Sequence, residues 1–303
     1  MHISVVIPVF NAKLHIEELT HRLEVSLKNI SSEFEVILVD DRSPDTTWEI
    51  MLREMIKYSF LKTYRLSRNF GQHYAITAGL SKASGEWIIV MDCDLQDQPE
   101  EIPNLYKKAM EGFPIVLARR KERKDGVVKV LMSKLFYSFF GYLTDTEQDP
   151  AVANFGIYHR KVIQEVLRLN DYYRVFPVLI QWIGFERTKI DVVHNSRASG
   201  KSNYTFSKLL KMATDVIISF SDKHLRLTLK AGVLTASLSF AMGVFYLILF
   251  LQGYILVPGF TSIILLVSFS LGLLLTFIGV LGLYIGKMSM QVKNRPLFII
   301  DEE

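Results

Sequence analysis

From Ala231 to Gly286 the chain carries no Asp, Glu, Lys or Arg, and no other feature restricts its fold so strongly. The stretch is divided by "QGYILVPGFTS", where Gly253, Pro258 and Gly259 mark a turn. Each half is long enough to cross roughly 30 Å of hydrocarbon as a helix of about 20 residues. The pattern predicts two transmembrane helices, at 229–251 and 262–286, within a membrane segment 227–288. Lys223, Arg226 and Lys230 precede the charge-free stretch, Lys287, Lys293 and Arg295 follow it, and the connecting loop has no charge. The positive-inside rule then puts both ends in the cytoplasm, with the chain spanning the inner membrane twice. The competing reading is a buried helical hairpin of a soluble protein.

The remainder has a different texture. "ISVVIPVF", "FEVILVDD", "KTYRLS" and "WIIVMD" are strand-like runs, separated by amphipathic stretches that predict helices over 14–30, 45–57 and 72–83. Apolar strands alternating with helices give an α/β domain with a mostly parallel sheet, covered on both faces. We place this domain at 1–204, an amphipathic juxtamembrane helix region at 205–226 and a cytoplasmic tail at 289–303. The juxtamembrane residues Leu209, Leu210, Met212, Ala213, Val216, Ile217 and Phe220 recur at helical spacing, which suits either the membrane interface or a protein core. The basic stretch "ARRKERKDGVVK" has no clear period and reads as a loop.

Thirty-five Lys and Arg against thirty-one Asp and Glu leave a net charge of only +4, which gives no argument for a nucleic-acid partner. Met1-His2 leads directly into a strand, without the basic start of a signal peptide. Cys93 is the only cysteine, so no disulfide framework points to an oxidising compartment.

Two strands end in acidic pairs, Asp40-Asp41 and Asp92/Asp94. Open α/β sheets bind ligands at the carboxyl ends of their strands, so these carboxylates stand where a ligand belongs. Asp92 and Asp94 are two residues apart and would repel each other unless they shared a cation. Hard oxygen ligands favour Mg²⁺ or Mn²⁺, with Gln96 offering a third oxygen. An EF-hand fails, because the loop position that needs Gly is Asp97 and the one that needs Glu is Pro103. Helix capping accounts for Asp97 and Glu100 but not for the pair. Mg²⁺ held by few carboxylates completes its shell with substrate phosphates, which suggests a nucleotide. Neither a G-x-x-x-x-G-K-[ST] loop nor a G-x-G-x-x-G turn is available to cradle the diphosphate.

The segments "VVIPVFN", "VILVDDRSPDTT", "SRNFGQ", "GEWIIVMDCDLQDQPE" and "SRASGKSNY", with the tail "IGVLGLYIGKMSMQVKNRPLFII", resemble the GT-A glycosyltransferases of family 2, in particular the polyprenyl-phosphate glycosyltransferases. The resemblance implies a GT-A fold and inverting transfer of a sugar from a nucleotide donor, UDP favoured, to a lipid phosphate such as undecaprenyl or dolichyl phosphate. It implies that Asp92, Asp94 and Gln96 hold the metal and that Pro8, Asn11, Asp40, Asp41 and Asp92 contact the nucleotide, Asp41 accepting the ring N–H of uracil. Arg120, Lys129, Arg197 and Lys201 match basic positions that receive phosphate, and Asn154 stands near the acceptor. Three departures qualify the match. Ala12 stands where relatives often have Glu, "ANFGI" replaces "GDFR" so that Asn154 and Gly156 stand for an acid and an arginine, and the basic loop has Lys129 and Lys134 in place of an arginine near Val130. A processive polysaccharide synthase would carry Q-x-x-R-W and more membrane helices, where this chain has only Gln181-Trp182 and two. A non-catalytic membrane module binding nucleotide-sugars would have a decayed metal site, which is intact here. Homo-oligomerisation, the sugar and the glycan assembled downstream stay open.

Overall fold

The computed structural model describes residues 2–120, 152–193 and 259–303, with parts of 230–253. Lys129, Arg197 and Lys201, the expected juxtamembrane helix and much of the first expected membrane helix lie outside the described residues. The described residues belong to two compact units. One holds the sheet and includes Pro296–Glu303, and the other includes the long helix up to Arg295.

In the first unit, every residue of β1 (Ile3–Val9) is buried, as is almost all of β2 (Phe34–Asp40) and all of β4 (Trp87–Val90). That is why these segments read as continuous apolar runs rather than alternating ones. They join β3 (Leu61–Leu66), β5 (Ile115–Arg120), β6 (Val152–His159), β7 (Arg187–Val192) and β8 (Ile300–Glu302) in one eight-stranded sheet of order β7-β5-β6-β4-β1-β2-β3-β8. Neighbours β4/β1, β1/β2, β2/β3 and β5/β7 are parallel, while β6 and β8 run antiparallel to their neighbours. The mostly parallel α/β sheet is as expected.

The helices α1 (Ile16–Lys28), α2 (Thr47–Lys57) and α3 (Gln72–Lys82) fall inside the predicted ranges. α1 buries Ile16, Leu19, Leu23 and Leu27 on one stripe. α3 approaches the sheet more closely than a side chain would allow: a Cβ on Gly79 would stand 2.4 Å from Val6 Cγ1 and 3.2 Å from Val39 Cγ2. A short 3₁₀ turn, Pro99–Glu101, leads into α4 (Ile102–Ala109). The segment "FPVLIQWIGF", to which the sequence assigned no element, contains α6 (Phe176–Trp182), preceded by α5 (Arg160–Arg168).

One expectation is corrected. Ala118, Arg119 and Arg120, read as the start of a loop, complete β5. Arg119 lies opposite Asp191 of β7 and donates to it from Nε at 2.6 Å, so its charge belongs to a cross-strand pair rather than to a solvated turn.

In the second unit, α7 (Phe260–Val292) runs 33 residues, six beyond the predicted end, because Lys287–Val292 contains neither Gly nor Pro to stop it. At about 1.5 Å per residue its length exceeds the hydrocarbon thickness. Phe269–Val292 has a mean hydropathy of 2.1 and is unburied, and Leu266, Phe269, Leu274, Ile278 and Ile285 are all exposed. Among the described residues this is the single helix long and apolar enough to cross a membrane. Helical residues also occur between Lys230 and Leu251, and a Cβ on Gly232 would stand 3.3 Å from the Phe277 ring.

Candidate active site

The chain leaves β1 toward β2 and β3 on one side, then returns to lay β4 on the other. The carboxyl ends of β1 and β4 therefore flank the switch point, the place where open α/β sheets leave a crevice. Val6 O accepts from Met91 N at 3.2 Å and Val9 O from Asp41 N at 2.9 Å, so even-numbered residues of β1 face β4 and odd-numbered ones face β2. Pro8, which has no N–H, faces the β4 side just past the last pairing, Val6↔Val90. Its missing donor removes no ladder bond there.

Three tips carry left-handed backbone at residues other than glycine: Asn11 (φ 53°) after β1, Arg42 (φ 59°) after β2 and Leu95 (φ 59°) after β4. Such conformations persist only where surrounding contacts enforce them. At Asn11 the backbone N–H donates to Ser43 Oγ at 3.0 Å, and Ala12 N–H donates to Thr47 Oγ1 at 3.1 Å. Ala12 is itself buried.

Asp40 is fully buried and accepts the Ser43 N–H at 3.0 Å, while Arg65 Nε stands 3.1 Å from Asp40 Oδ2. Burial is the largest influence on its carboxyl and raises its pKa, against the opposing pull of Ser43 and Arg65. Asp41, 3 % exposed, holds the following loop: Oδ1 accepts from Phe70 N at 2.7 Å and Oδ2 from Gly71 N at 2.9 Å. Burial, with the neighbouring Asp40 charge, pushes Asp41 up to about 6 despite those two hydrogen bonds. Each of its oxygens thus accepts a backbone amide before any ligand arrives.

The anchored loop delivers Gln72, the first residue of α3, to the next strand tip, where its Nε2 donates to Asp92 Oδ1 at 2.7 Å. Gln72 is a site residue that sequence reading missed. "SRNFGQ" was visible as a motif, but nothing in it says which carboxylate its amide meets. Past Asp92, Asp94 Oδ1 accepts the Gln96 N–H at 3.2 Å, closing the turn in which Leu95 is left-handed. Cys93, between the two aspartates, has its thiol pushed up to about 12, chiefly by burial.

Asn154 enters from the antiparallel strand. The β4/β6 register pairs Ile89 with Ile157 and Val90 with Gly156; continued by two residues, it sets Asn154 opposite Asp92. Gly156 is confined, since a Cβ there would stand 2.9 Å from both Tyr158 Oη and Val116 O. An arginine cannot simply replace it. Arg120 closes β5.

The structure therefore brings Pro8, Asn11, Asp40, Asp41, Asp92, Asp94, Gln96 and Asn154 to one end of the sheet. Asp92, Asp94 and Gln96 form a set of hard oxygens that fits Mg²⁺ or Mn²⁺, and too few of them to saturate either ion. Among the described residues no group of three or more His, Cys, Asp or Glu could hold a metal ion.

Known proteins resemble the chain over both parts. The family model described as "Glycosyl transferase family 2" matches residues 4–167. An uncharacterised glycosyltransferase of Bacillus subtilis, YkcC, is 35% identical over 302 residues, covering 99% of this chain and 93% of that protein. The undecaprenyl-phosphate 4-deoxy-4-formamido-L-arabinose transferase of Salmonella choleraesuis is 33% identical over 312 residues, covering 99% and 93%. Among solved structures, glucosyl-3-phosphoglycerate synthase from Mycobacterium tuberculosis, in complex with Mn²⁺, UDP and phosphoglyceric acid, superposes with a TM-score of 0.52 at 18% identity, covering 72% of this chain and 76% of that one.

Proposed function

The chain belongs to glycosyl transferase family 2, and on that premise we propose that it moves a sugar from a nucleotide-sugar donor, UDP favoured, onto a membrane polyprenyl phosphate, inverting the anomeric carbon. The observation that carries the choice of acceptor is the match to undecaprenyl-phosphate transferases along 99% of the chain, the charge-free segment included.

In this reading the nucleotide lies over the tips of β1 and β2, against Pro8, Asn11 and the Asp40–Ser43 turn. Asp92 and Asp94, with Gln96 beside them, hold the divalent ion, and Gln72 orients Asp92. Bound there, Mg²⁺ or Mn²⁺ would offset negative charge developing on the leaving diphosphate. The acceptor needs no protein base. A phosphate monoester has its second pKa near 6, so at neutral pH it arrives largely as a dianion. One of its oxygens attacks the anomeric carbon from the face opposite the diphosphate; the new C–O bond forms as the bond to the diphosphate breaks, and no proton moves. An amide at 154 suits this reaction, because Asn154 can donate to a sugar hydroxyl or to the incoming phosphate but cannot take a proton. Arg120, Lys129, Arg197 and Lys201 supply the cations that draw the acceptor in. The membrane segment crosses twice with both ends cytoplasmic, which keeps the site on the side where nucleotide-sugars are made.

The test uses purified full-length protein in detergent with undecaprenyl phosphate, Mn²⁺ and a panel of UDP-sugars. Expected is a lipid-linked monosaccharide from at least one donor, absent in Asp92→Asn and Asp94→Asn variants that keep the wild-type melting temperature. No product from any donor, or near wild-type activity in both variants, would overturn the reading.

A further inference from the structure

The strand β8 extends the sheet beyond β3, pairing Leu66 with Ile300 and Arg65 with Glu302. Its acidic run finds a cation at every step. Asp301 Oδ2 accepts from Arg42 Nη1 at 2.7 Å, Glu302 accepts from Arg65, and Glu303 pairs with Lys82. Exposed pairs of this kind contribute little on their own. Glu302 differs because of what stands behind its partner.

Glu302 divides its oxygens: Oε2 accepts from Trp48 Nε1 at 3.0 Å, and Oε1 lies 3.4 Å from Arg65 Nη1. The guanidinium of Arg65 sits 5.5 Å from the Trp48 ring centre and is 17% exposed. On its other side it reaches inward, with Nε 3.1 Å from buried Asp40 and Nη2 3.5 Å from Ser43 O. Asp40 in turn accepts the Ser43 N–H, and Ser43 Oγ accepts the Asn11 N–H. A continuous run of contacts thus joins residue 302 to the left-handed Asn11, over the tips of β2 and β1.

We propose that Glu302 is a positioning residue for the nucleotide half of the site: it fixes the Arg65 guanidinium, and through it the Asp40–Ser43 turn and Asn11, in the arrangement that receives a nucleoside diphosphate. The inference rests on the reading of Pro8, Asn11 and Asp41 as nucleotide contacts. It assigns to a strand at the far edge of the sheet a part in donor binding and none in acceptor binding.

The experiment compares full-length wild type, Glu302→Gln and Glu302→Asp in detergent. Glu302→Gln keeps an acceptor for Trp48 but removes the charge facing Arg65, and Glu302→Asp retains the charge. Calorimetry with UDP and Mn²⁺ gives Kd; initial rates give KM for each substrate. Expected for Glu302→Gln is a Kd for UDP and a donor KM raised roughly fivefold, at the upper end of what one exposed ion pair supplies. The KM for undecaprenyl phosphate should not change, and Glu302→Asp should recover part of the loss. A purely structural role would instead lower the melting temperature and move both KM values together, and that pattern overturns the inference. A wild type that binds UDP with Glu302→Gln within twofold of it overturns this inference alone. A wild type that does not bind UDP overturns the nucleotide site and this inference with it.

Discussion

Gln72 Nε2 donates to Asp92 Oδ1 across 2.7 Å, linking the first residue of α3 to the tip of β4. The contact fixes one oxygen of a carboxylate that we assign to a divalent ion, as partners behind metal ligands commonly do. Gln72→Ala should therefore raise the Mn²⁺ concentration needed for half-maximal activity by about 10- to 100-fold, with saturating metal restoring much of the rate. A metal titration unchanged from wild type would show that the hydrogen bond serves only packing.

Asp41 supplies a pH signature. Its folded value of about 6 lies above the ordinary 3.8, so the folded protein holds this proton more tightly than the unfolded chain. The associated stability is fully present below about pH 4, declines as pH rises toward 6 and is gone above it. Melting temperatures of wild type should fall relative to Asp41→Asn over that window and run parallel from pH 7 to 8. Parallel curves throughout would mean that Asp41 is not displaced by burial.

Gly156 lies beneath Tyr158 Oη and Val116 O, so any side chain there must displace a buried hydroxyl and a strand carbonyl. Gly156→Ala is expected to destabilise by about 1–3 kcal/mol, read as a lower melting temperature of the full-length protein. Gly156→Arg should express poorly instead of gaining activity. A stable, active arginine variant would contradict the packing argument.

Asn154 tests the acceptor chemistry. If the phosphate enters as its own dianion, kcat/KM should rise with an apparent pKa near 6, from the acceptor. Asn154→Asp should not speed transfer and should slow it, because like charges about 4 Å apart repel by roughly 4 kcal/mol at an effective dielectric near 20, before screening. Acceleration by more than about tenfold would indicate a gained general base and refute the mechanism.

Topology can be read by labelling introduced cysteines in preference to the native thiol, because burial pushes the Cys93 thiol up and so slows its reaction. A cysteine at Ser262, in the first turn of α7, should react with an impermeant reagent on intact cells. One at exposed Ser32 should react only after lysis. The reverse pattern would invert the assignment.

The central strands and their acidic ends were legible because parallel strands buried on both faces leave uninterrupted apolar runs, and because the carboxylates interrupt them abruptly. The switch point between β1 and β4 was not legible, because it depends on a strand order that apolar runs do not encode. The alignment of Asn154 with Asp92 was not legible, since it depends on an antiparallel register set 62 residues away along the chain. β8 was invisible for a related reason. Three residues rich in acid show no alternation, and their partners Arg42 and Arg65 lie 259 and 237 positions away. Gln72 was visible as the last residue of the "SRNFGQ" segment, with nothing to say that its amide meets Asp92.

The left-handed turns at Asn11, Arg42 and Leu95 set a limit on engineering this protein. A non-glycine residue in that conformation costs roughly 1–2 kcal/mol, so a directed-evolution campaign scored on heat resistance alone would be drawn to glycine at positions 42 and 95. Those replacements would relax two of the three tips that shape the crevice, and the hardiest clones would lose donor affinity. Selection for robustness and selection for turnover thus pull this sheet edge in opposite directions.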